Sequence, residues 1–317
     1  MFMKFLPMVI ALAAIGCSND NSEVVGGGGN HAGGGIGGTT VIPMGGIGFG
    51  GSGGGAAGNS GSSVTPTGEL TIVVRDFKFY DANDSKTNPD FEHVPDTDDK
   101  GNPVAANTYW GPWDDKDIVT DTLDSDHKPV YKNPPAPLTT HGQAAFDQWY
   151  RTVDGTNIMQ EIPITLTKNA DGTYSYDSRS AGAPLSPGGG FFPIDEGSNY
   201  ATSFGNQGKS HNYSFTVEIH TLFTYNGGET FHFSGDDDVF VYINNRLVIN
   251  LGGIHSREAA DLAMDSLTVY GTQEAIPLTK GDTYPLDFFY AERHVVDSNL
   301  LITTSLGLST NTEIPIF

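Results

Sequence analysis

Residues 231–251 read Phe231-His-Phe-Ser-Gly-Asp-Asp-Asp-Val-Phe-Val-Tyr-Ile-Asn-Asn-Arg-Leu-Val-Ile-Asn-Leu251 and predict a β-hairpin that opens on three acidic residues. Runs of β-branched and aromatic residues predict a strand on each side of the pair Asn244-Asn245. Asparagine tolerates the left-handed conformation that a type I′ turn requires at both of its central positions. We therefore predict a two-residue turn at Asn244 and Asn245.

The three acidic residues Asp236, Asp237 and Asp238 need a physical explanation. Consecutive carboxylates at a strand mouth repel one another, and Asp has a low strand propensity. A calcium ion would remove the repulsion, because it takes six to eight oxygen ligands from carboxylates, amides and backbone carbonyls. We predict Asp236 and Asp237 as ligands of one ion, which requires the backbone between them to bend or the peptide to be cis, since neighbouring side chains in a strand point opposite ways. The alternative is a solvated acidic turn.

Similar strand patterns recur along the rest of the chain, whereas helical periodicity is scarce. The pair Asp171-Gly172 predicts a second hairpin turn. We expect a short helix over 142–151, a turn near 257–264 and a long irregular polar insertion over 80–137. Together these patterns predict an antiparallel all-β sandwich with long irregular insertions over residues 68–317. Its further predicted strands are 70–74, 162–167, 173–176, 213–223, 230–234, 266–270, 284–290 and 300–306.

The composition excludes several classes of protein. The 317 residues include 38 acidic and 16 basic side chains, for a net charge of -22. A chain this acidic repels phosphates, so nucleic acid is not an expected partner, and neither is an anionic membrane surface. With a single Cys the chain forms no intramolecular disulfide and no Cys-based zinc or iron-sulfur site. Any metal must be held by oxygen atoms or by His.

The N-terminal segment is predicted to serve transport and tethering. Residues 1–16 carry one cation at Lys4 followed by an apolar run shorter than the ~20 residues that span a bilayer, which is typical of a signal peptide. Ala14-Ile15-Gly16-Cys17 resembles the bacterial lipobox, which implies lipidation at Cys17 and contact with the membrane through a lipid anchor only. An ordinary cleavable signal is the alternative. Residues 17–67 are rich in Gly and predict a flexible, disordered linker.

Four segments of the chain closely resemble the fibro-slime domain family, which is similar to PA14 domains. The resemblance runs in order from about residue 75 to residue 306. It is carried by His211-Asn-Tyr-Ser-Phe-Thr-Val-Glu-Ile-His220, by the hairpin stretch quoted above, by Leu251-Gly-Gly-Ile-His255, and by Phe289-Tyr-Ala-Glu-Arg-His294 with Ser298-Asn299.

The resemblance implies a PA14-like β-sandwich and a candidate site. Asp236 and Asp237 match the adjacent aspartates that hold calcium in PA14-type adhesins, where sugar hydroxyls also coordinate the ion. Asp238 stands where many PA14 members have Gly, and it is a further candidate ligand-binding residue. A second loop of the adhesins lends an amide oxygen, which suggests Asn299, and His255 and His294 are further candidate neighbours of the ligand. The alternative for these last polar groups is structural: hydrogen-bonded histidines and an ion pair between Glu292 and Arg293 or a neighbour.

We expect a surface-anchored, calcium-dependent carbohydrate-binding protein of adhesion or extracellular matrix, located in the bacterial cell envelope as an outer-membrane lipoprotein. The expected partner is a polysaccharide or glycan surface. The alternative is a structural or protein-interaction component of a surface layer or slime that does not bind sugar. We do not expect an enzyme: Glu161, Glu218 and Glu292 provide carboxylates for a glycosidase, but no sequence feature places two of them at the required separation.

Replacing the single Cys tests the tether. Cys17→Ser should move the protein from the membrane fraction to the soluble fraction, because its acyl chains supply the membrane affinity. Metabolic labelling with a fatty-acid analogue measures the modification directly. An unlabelled wild-type protein would exclude lipidation.

Overall fold

The computed structural model describes residues 68–92, 113–135, 138–199, 203–295 and 297–310. The predicted signal peptide, Cys17 and the Gly-rich linker lie outside these residues, so their assignment stays a prediction. In the described part of the chain, no helix is both long and apolar enough to cross a membrane.

The described residues form sixteen β-strands, one short α-helix and two single-turn 3₁₀ helices, the latter at Pro187–Gly189 and Met264–Ser266. The strands and the helix are β1 (Glu69–Phe77), β2 (Trp113–Asp114), β3 (Val119–Leu123), β4 (Pro129–Tyr131), α1 (Gln143–Phe146), β5 (Asn157–Thr165), β6 (Thr167–Lys168), β7 (Tyr174–Asp177), β8 (Phe215–Thr224), β9 (Thr230–Gly235), β10 (Asp238–Ile243), β11 (Arg246–Leu251), β12 (Gly253–Ile254), β13 (Glu258–Ala263), β14 (Thr283–Glu292), β15 (Leu300–Thr304) and β16 (Ser309–Thr310).

Two antiparallel sheets make up the sandwich, as the strand patterns predicted. The larger has seven strands in the order β11-β10-β14-β8-β1-β5, with β16 also paired to β8. The smaller has five strands in the order β13-β9-β15-β7-β6. Two further pairs, β12 with β2 and β3 with β4, lie outside these sheets.

The main hydrophobic core lies between the two sheets. Side chains alternate across a strand, so Val239, Val241 and Ile243 of β10 enter this core from the seven-stranded sheet. Phe233 of β9 enters from the five-stranded sheet and meets Phe288 of β14 with ring centroids 5.6 Å apart. Burial of this apolar area is the main stabilising contribution to the sandwich.

A second core covers the outer face of the seven-stranded sheet. Phe240, Tyr242 and Phe289 point to that face, where they meet Phe91 and Trp149 from the segment between β1 and β5. The polar stretch within this segment was predicted to be irregular, yet it contains β2, β3 and β4. The short strands form because the scattered apolar residues of the segment are buried against the apolar part of that sheet face.

Three local predictions were wrong. Residues 258–263 form edge strand β13, although a turn was expected there, because one face of the segment packs while the other stays exposed. The predicted strand over 266–270 makes only an isolated bridge between Thr268 and Ala275. The expected helix over 142–151 is limited to Gln143–Phe146, and no side chain caps its N-terminus.

The hairpin turn was predicted correctly. Asn244 and Asn245 have φ values of 53° and 58°, the left-handed conformation of a type I′ turn. The backbone N–H of Asn244 also donates to the carbonyl oxygen of Pro285, at 3.0 Å. The Asn-Asn pair therefore fixes the register of β10 against β11.

A β-branched residue at this turn should destabilise the protein. We expect Asn244→Val to lower the free energy of unfolding by about 1–2 kcal/mol, because its side chain clashes in the left-handed region. Asn244→Gly, the matched control, should stay within about 0.5 kcal/mol of the wild type. Urea denaturation measures both. Equal losses in the two variants would mean that backbone conformation is not the cause.

Candidate metal centre

Two connections between the sheets meet at one end of the sandwich. Asp236 and Asp237 link β9 to β10, and the segment after β14 leads back to β15. The two connections approach so closely that a Cβ atom on Gly235 would lie 2.7 Å from the carbonyl oxygen of Asn299, so only glycine fits there. Asp237 has a φ of 56°, which supplies a bend between the two aspartates. Both side chains are buried, at 4% and 5% exposure of the residues.

Asp236 and Asn299 are joined by two hydrogen bonds. The backbone N–H of Asn299 donates to Asp236 Oδ1 at 2.6 Å, and Asn299 Nδ2 donates to Asp236 Oδ2 at 2.9 Å. The other amide atom, Asn299 Oδ1, is buried and has no hydrogen-bond partner among the described residues. A buried amide oxygen without a partner is costly, and a cation is one group that would satisfy it.

Asp238 has a different role from its two neighbours. Arg293 Nε donates to Asp238 Oδ2 at 2.6 Å, and the backbone N–H of Gly253 donates to Asp238 Oδ1 at 2.7 Å. Both carboxylate oxygens are therefore engaged within the protein. The backbone N–H of Arg293 also donates to Asp237 Oδ2, at 2.9 Å. Asp238 therefore holds the start of β10 against Arg293 and Gly253. We call the connection formed by Asp236 and Asp237, together with Asp238, the acidic loop.

Arg293 is held in turn by the segment between β1 and β5. Its Nη1 donates to the carbonyl oxygens of Thr139, at 2.6 Å, and of Asp90, at 3.2 Å. Its guanidinium carbon lies 4.5 Å from the ring centroid of Trp149, whose Nε1 donates to Asp90 Oδ2 at 2.9 Å. The sequence placed Arg293 in an ion pair with Glu292 or a neighbour, and gave no signal for Asp90, Thr139 or Trp149.

Glu292 is the fourth carboxyl group at this end of the sandwich. It is fully buried, and its Oε2 accepts a hydrogen bond from Tyr290 Oη at 2.8 Å. Burial and the charges of Asp237 and Asp236 raise the pKa of Glu292 well above its usual value. Sequence reasoning treated Glu292 as an ion-pair partner or as a carboxylate of a glycosidase, because only the fold brings the end of β14 beside the acidic loop.

Burial raises the pKa values of all three aspartates. Burial and the charge of Asp237 raise the pKa of Asp236 to about 7. Burial also raises the pKa of Asp237 to about 6, although the charge of Arg293 opposes this effect. The pKa of Asp238 is raised as well, again by burial and against the charge of Arg293. Near neutral pH Asp236 therefore keeps part of its proton unless a cation binds at the site.

The two candidate histidines lie beside this group but make contacts of their own. His255 is buried, with Nδ1 3.0 Å from the carbonyl oxygen of Ser256 and Nε2 3.2 Å from that of Leu251. His294 Nδ1 lies 3.1 Å from Glu92 Oε1. The structure thus brings His255, His294 and Asn299 to the same end of the sandwich as the aspartates. In these contacts the ring nitrogen atoms of the two histidines are directed at groups of the protein other than the three aspartates.

The buried oxygen atoms at this end of the sandwich are of the kind that a hard cation binds. Asp236, Asp237 and Glu292 are buried carboxyl groups, and Asn299 Oδ1 is a buried amide oxygen without a hydrogen-bond partner. Within the described ranges, however, no group of three or more side chains from His, Cys, Asp and Glu is arranged so that it could hold a metal ion. The ligand shell would therefore need the amide of Asn299 together with backbone carbonyls or water. An all-oxygen shell of this kind suits calcium.

Comparison with known proteins agrees with this architecture. The sequence profile of the PA14 domain matches residues 173–316, which include β7–β15 and the acidic loop. The chain contains a PA14-like domain. The profile covers the five-stranded sheet except β6, and begins after the segment that carries Asp90, Thr139 and Trp149. Asp90, Thr139 and Trp149, which hold Arg293 beside the acidic loop, therefore lie outside the matched region.

Relatives that match about three fifths of the chain occur in Dictyostelium discoideum. Protein psiD is 39% identical over 201 residues, covering 61% of this chain and 36% of psiD. Protein psiC is 37% identical over 207 residues, with the same two coverages. The chain thus spans about a third of the length of these relatives.

Solved structures resemble the chain only weakly. The PA14 domain of the MpAFP antifreeze protein has a TM-score of 0.20 and 14% identity, covering 34% of this chain and 49% of that one. The β-glucosidase of Kluyveromyces marxianus in complex with glucose has a TM-score of 0.23 and 11% identity, covering 66% of this chain and 20% of the enzyme. The assignment of the PA14-like domain therefore rests on the sequence profile and on the sandwich itself.

The raised pKa values predict how pH acts on stability without calcium. Asp236 and Asp237 keep their protons in the folded protein at pH values where the unfolded chain has lost them. Between about pH 4 and pH 7 their contribution to stability therefore falls as pH rises. We expect Asp237→Asn to gain stability relative to wild type as pH rises from 4.5 to 7.5 in excess chelator, measured as the difference in melting temperature.

Asp237→Asn is compared with the wild type at each pH because the lowered pKa of Glu218 makes both proteins less stable at low pH. This effect is opposite to that of Asp236 and Asp237, and it cancels in the difference. Glu161→Gln, on an exposed residue of β5, is the control and should track the wild type. A constant difference between Asp237→Asn and wild type over this range would contradict the raised pKa.

Proposed function

We propose that the PA14-like domain binds a polysaccharide through a calcium ion held at the acidic loop. The observation that carries this proposal is the group of three buried carboxyls, Asp236, Asp237 and Glu292, beside the unpartnered Asn299 Oδ1. A calcium ion bound there would neutralise charge that the protein otherwise balances with protons. Asp238 serves this function indirectly, since its oxygens are committed to Arg293 and Gly253.

A shallow cavity near this end offers a surface for the sugar. It has a volume of about 330 Å³ and is lined mainly by Leu185, Pro187, Phe192 and Pro193. The loop that carries it is tied to the loop of Asn299, because the backbone N–H of Phe191 donates to the carbonyl oxygen of Ser298 at 2.8 Å. Apolar side chains of this kind suit the apolar face of a sugar ring, while the cation selects its hydroxyl groups.

Tethering would make weak sites effective on a repeating polymer. The predicted lipid anchor at Cys17 and the Gly-rich linker of 17–67 would present many domains on one bacterial surface. A second contact on the same polysaccharide then forms at high effective concentration. This is the adhesion or matrix function that we propose, with the outer membrane as the proposed location.

One observation favours a second candidate function. Asp236, Asp237, Glu292 and Asn299 are all at least nine-tenths buried, so an ion among them would have little room for sugar hydroxyls. In that case the ion would be structural, and the domain would be a component of a surface layer that contacts other proteins. Calcium would then stabilise the domain without promoting polysaccharide binding.

We propose a binding module and not an enzyme on the geometry of the candidate carboxylates. Glu161 is exposed on edge strand β5, and Glu218 lies on the outer face of the seven-stranded sheet. Although burial alone would raise the pKa of Glu218, a hydrogen bond from His220 and the charges of Arg75 and Lys128 lower it to about 2. A carboxyl group with so low a pKa is a poor general acid for glycoside hydrolysis.

Calcium binding is tested first, by thermal stability. Calcium at about 100 times its Kd should add about 2.7 kcal/mol to the free energy of unfolding of the full chain. Asp236→Asn should abolish most of this gain, because it removes a carboxylate ligand while keeping the shape of the side chain. Glu161→Gln is the matched control and should keep the gain. Equal melting temperatures in millimolar calcium and in excess chelator would exclude the calcium site.

Sugar binding is tested separately, on a polysaccharide array with the same variants. The wild-type protein should be retained weakly and released by chelator, and Asp236→Asn should not be retained. If calcium stabilises the wild type but no polysaccharide retains it, the structural-ion function replaces the sugar-binding one.

A further inference from the structure

Two adjacent residues in the connection from β14 to β15 contact two different sites. Asn299 bonds the carboxylate of Asp236 at the acidic loop. Ser298 contacts the loop over 183–193, which provides most of the residues that line the cavity of about 330 Å³. We call this segment the cavity loop. A single peptide bond thus separates a candidate calcium ligand from a residue that holds the cavity loop.

Ser298 is joined to the cavity loop by two hydrogen bonds with the backbone of Phe191. The N–H of Phe191 donates to the carbonyl oxygen of Ser298, and Ser298 Oγ donates to the carbonyl oxygen of Phe191, both at 2.8 Å. The two segments approach so closely that a Cβ atom on Gly190 would lie 2.8 Å from the carbonyl oxygen of Ser298. We call this pair of bonds the Ser298 clip. Because one residue engages both backbone groups of Phe191, the two residues move together.

Ser298 is linked to the candidate metal centre by a second route, through Tyr290. Tyr290 Oη donates to Glu292 Oε2 at 2.8 Å and lies 3.1 Å from Ser298 Oγ. The ring of Tyr290 also packs edge-on against that of Phe191, with centroids 5.9 Å apart. All four residues are fully buried. The clip therefore lies within the packed interior that also holds Glu292.

The residue after the clip forms a wall of the cavity. Phe192 lines the cavity, and its backbone N–H donates to the carbonyl oxygen of Leu185 at 3.0 Å, which closes the cavity loop. The ring of Phe192 stacks on that of His211, with centroids 3.9 Å apart. The position of this wall therefore depends on two supports, and the support through Ser298 leads to the candidate metal centre.

We propose that Ser298 is a positioning residue that couples the candidate calcium site to the cavity, so that a bound ion holds the cavity loop closed. This inference rests on the proposed function, because it requires calcium at the acidic loop. An ion on Asn299 Oδ1 would fix Asn299, and with it the neighbouring Ser298.

The cost of breaking the clip explains why the coupling has a direction. Separating Ser298 from Phe191 would leave buried polar groups without partners, which is unfavourable. A cavity loop that opens therefore takes Ser298 and Asn299 with it, and the ion must then leave. By thermodynamic reciprocity, a ligand that keeps the cavity loop closed also strengthens calcium binding.

The coupling would give the sugar site two kinds of dependence on calcium. The ion would coordinate hydroxyl groups directly, and it would also keep the apolar wall at Phe192 in place. Among the described residues that line the cavity none is charged, so the cavity itself offers no carboxylate to the ion. Chelator would thus weaken contacts in the cavity through Ser298, without the loss of any ion from the cavity.

Hydrogen exchange of the full chain tests the coupling, with calcium at about 100 times its Kd and in excess chelator. Opening that displaces the ion becomes about 100-fold rarer at this concentration. Protection of the Phe191 and Phe192 amides should therefore rise with calcium by about tenfold or more. The amide of Asn169, which bonds the carbonyl oxygen of Thr173 in the β6–β7 turn, is the control and should not change.

Ser298→Ala removes one bond of the clip and leaves every proposed calcium ligand in place. The cavity loop can then open without moving Asn299, so the rise in protection with calcium should fall below about threefold. A purely structural role of Ser298 would lower protection equally with and without calcium, and would leave the rise unchanged. Tyr176→Phe, the matched control, removes a hydroxyl that donates to the carbonyl oxygen of Pro184 in the same loop at 2.6 Å, and should keep the full rise.

Gly190→Ala provides a second variant if Ser298→Ala does not fold. Its methyl group would collide with the carbonyl oxygen of Ser298 and with the ring of Phe192, so it separates the clip by another route and should also lose the rise. The melting temperature with and without calcium is measured on every protein.

The two measurements distinguish failure of the coupling from failure of the proposed function. If calcium raises the melting temperature of the wild type but not the protection of Phe191 and Phe192, the coupling is wrong and the calcium site stands. The coupling is also wrong if the folded variants of Ser298 and Gly190 keep the full rise. If calcium raises neither quantity, the proposed function fails and the coupling fails with it.

Discussion

The buried guanidinium of Arg293 is the interaction on which this end of the sandwich depends. It joins three parts of the chain that are far apart in sequence: Asp238 at the start of β10, the carbonyl oxygens of Thr139 and Asp90, and the ring of Trp149. A buried charge is tolerated only when it is paired and hydrogen-bonded, and these partners meet that condition. Because Asp238 is neutralised in this way, the strand can begin with an acidic residue that has no access to water.

The protein balances charge differently in its two buried clusters. On the outer face of the seven-stranded sheet, Arg75 and Lys128 both pair with Glu218, and His220 pairs with Asp287. At the acidic loop, Arg293 is committed to one carboxylate while three more are buried nearby. In the first cluster each acid is paired with a basic group of the protein itself, although Asp287 Oδ2 and His220 Nε2 have no hydrogen-bond partner among the described residues. The second needs protons or a cation, which is the physical basis of the calcium proposal.

The segment between β1 and β5 connects these two clusters. Its hairpin carries Lys128 to the sheet, and Tyr131 at the end of that hairpin bonds Thr140 Oγ1 at 2.9 Å, next to the residue that holds Arg293. The profile match to PA14 begins after this segment. The surroundings of the acidic loop in this chain are thus set in part by residues outside the matched region.

The sequence by itself determined the features that depend on local chemistry. Alternating apolar residues determined that the domain is an antiparallel sandwich, and Asn244-Asn245 determined the hairpin turn, since few other residues accept that conformation. Repulsion within Asp236-Asp237-Asp238 was also visible, and with it the candidate metal centre.

Only the tertiary structure decided which of these carboxyl groups are available to bind a cation and which residues surround them. Asp238 is equivalent to its neighbours in sequence, but the fold assigns it to Arg293 and Gly253. Glu292 joins the site because β14 ends beside the acidic loop, and β13 forms because a sheet edge was available to residues of weak strand propensity. These outcomes depend on contacts between residues distant in the chain, and the free energy of burying a charge is set by those contacts and not by the residue itself.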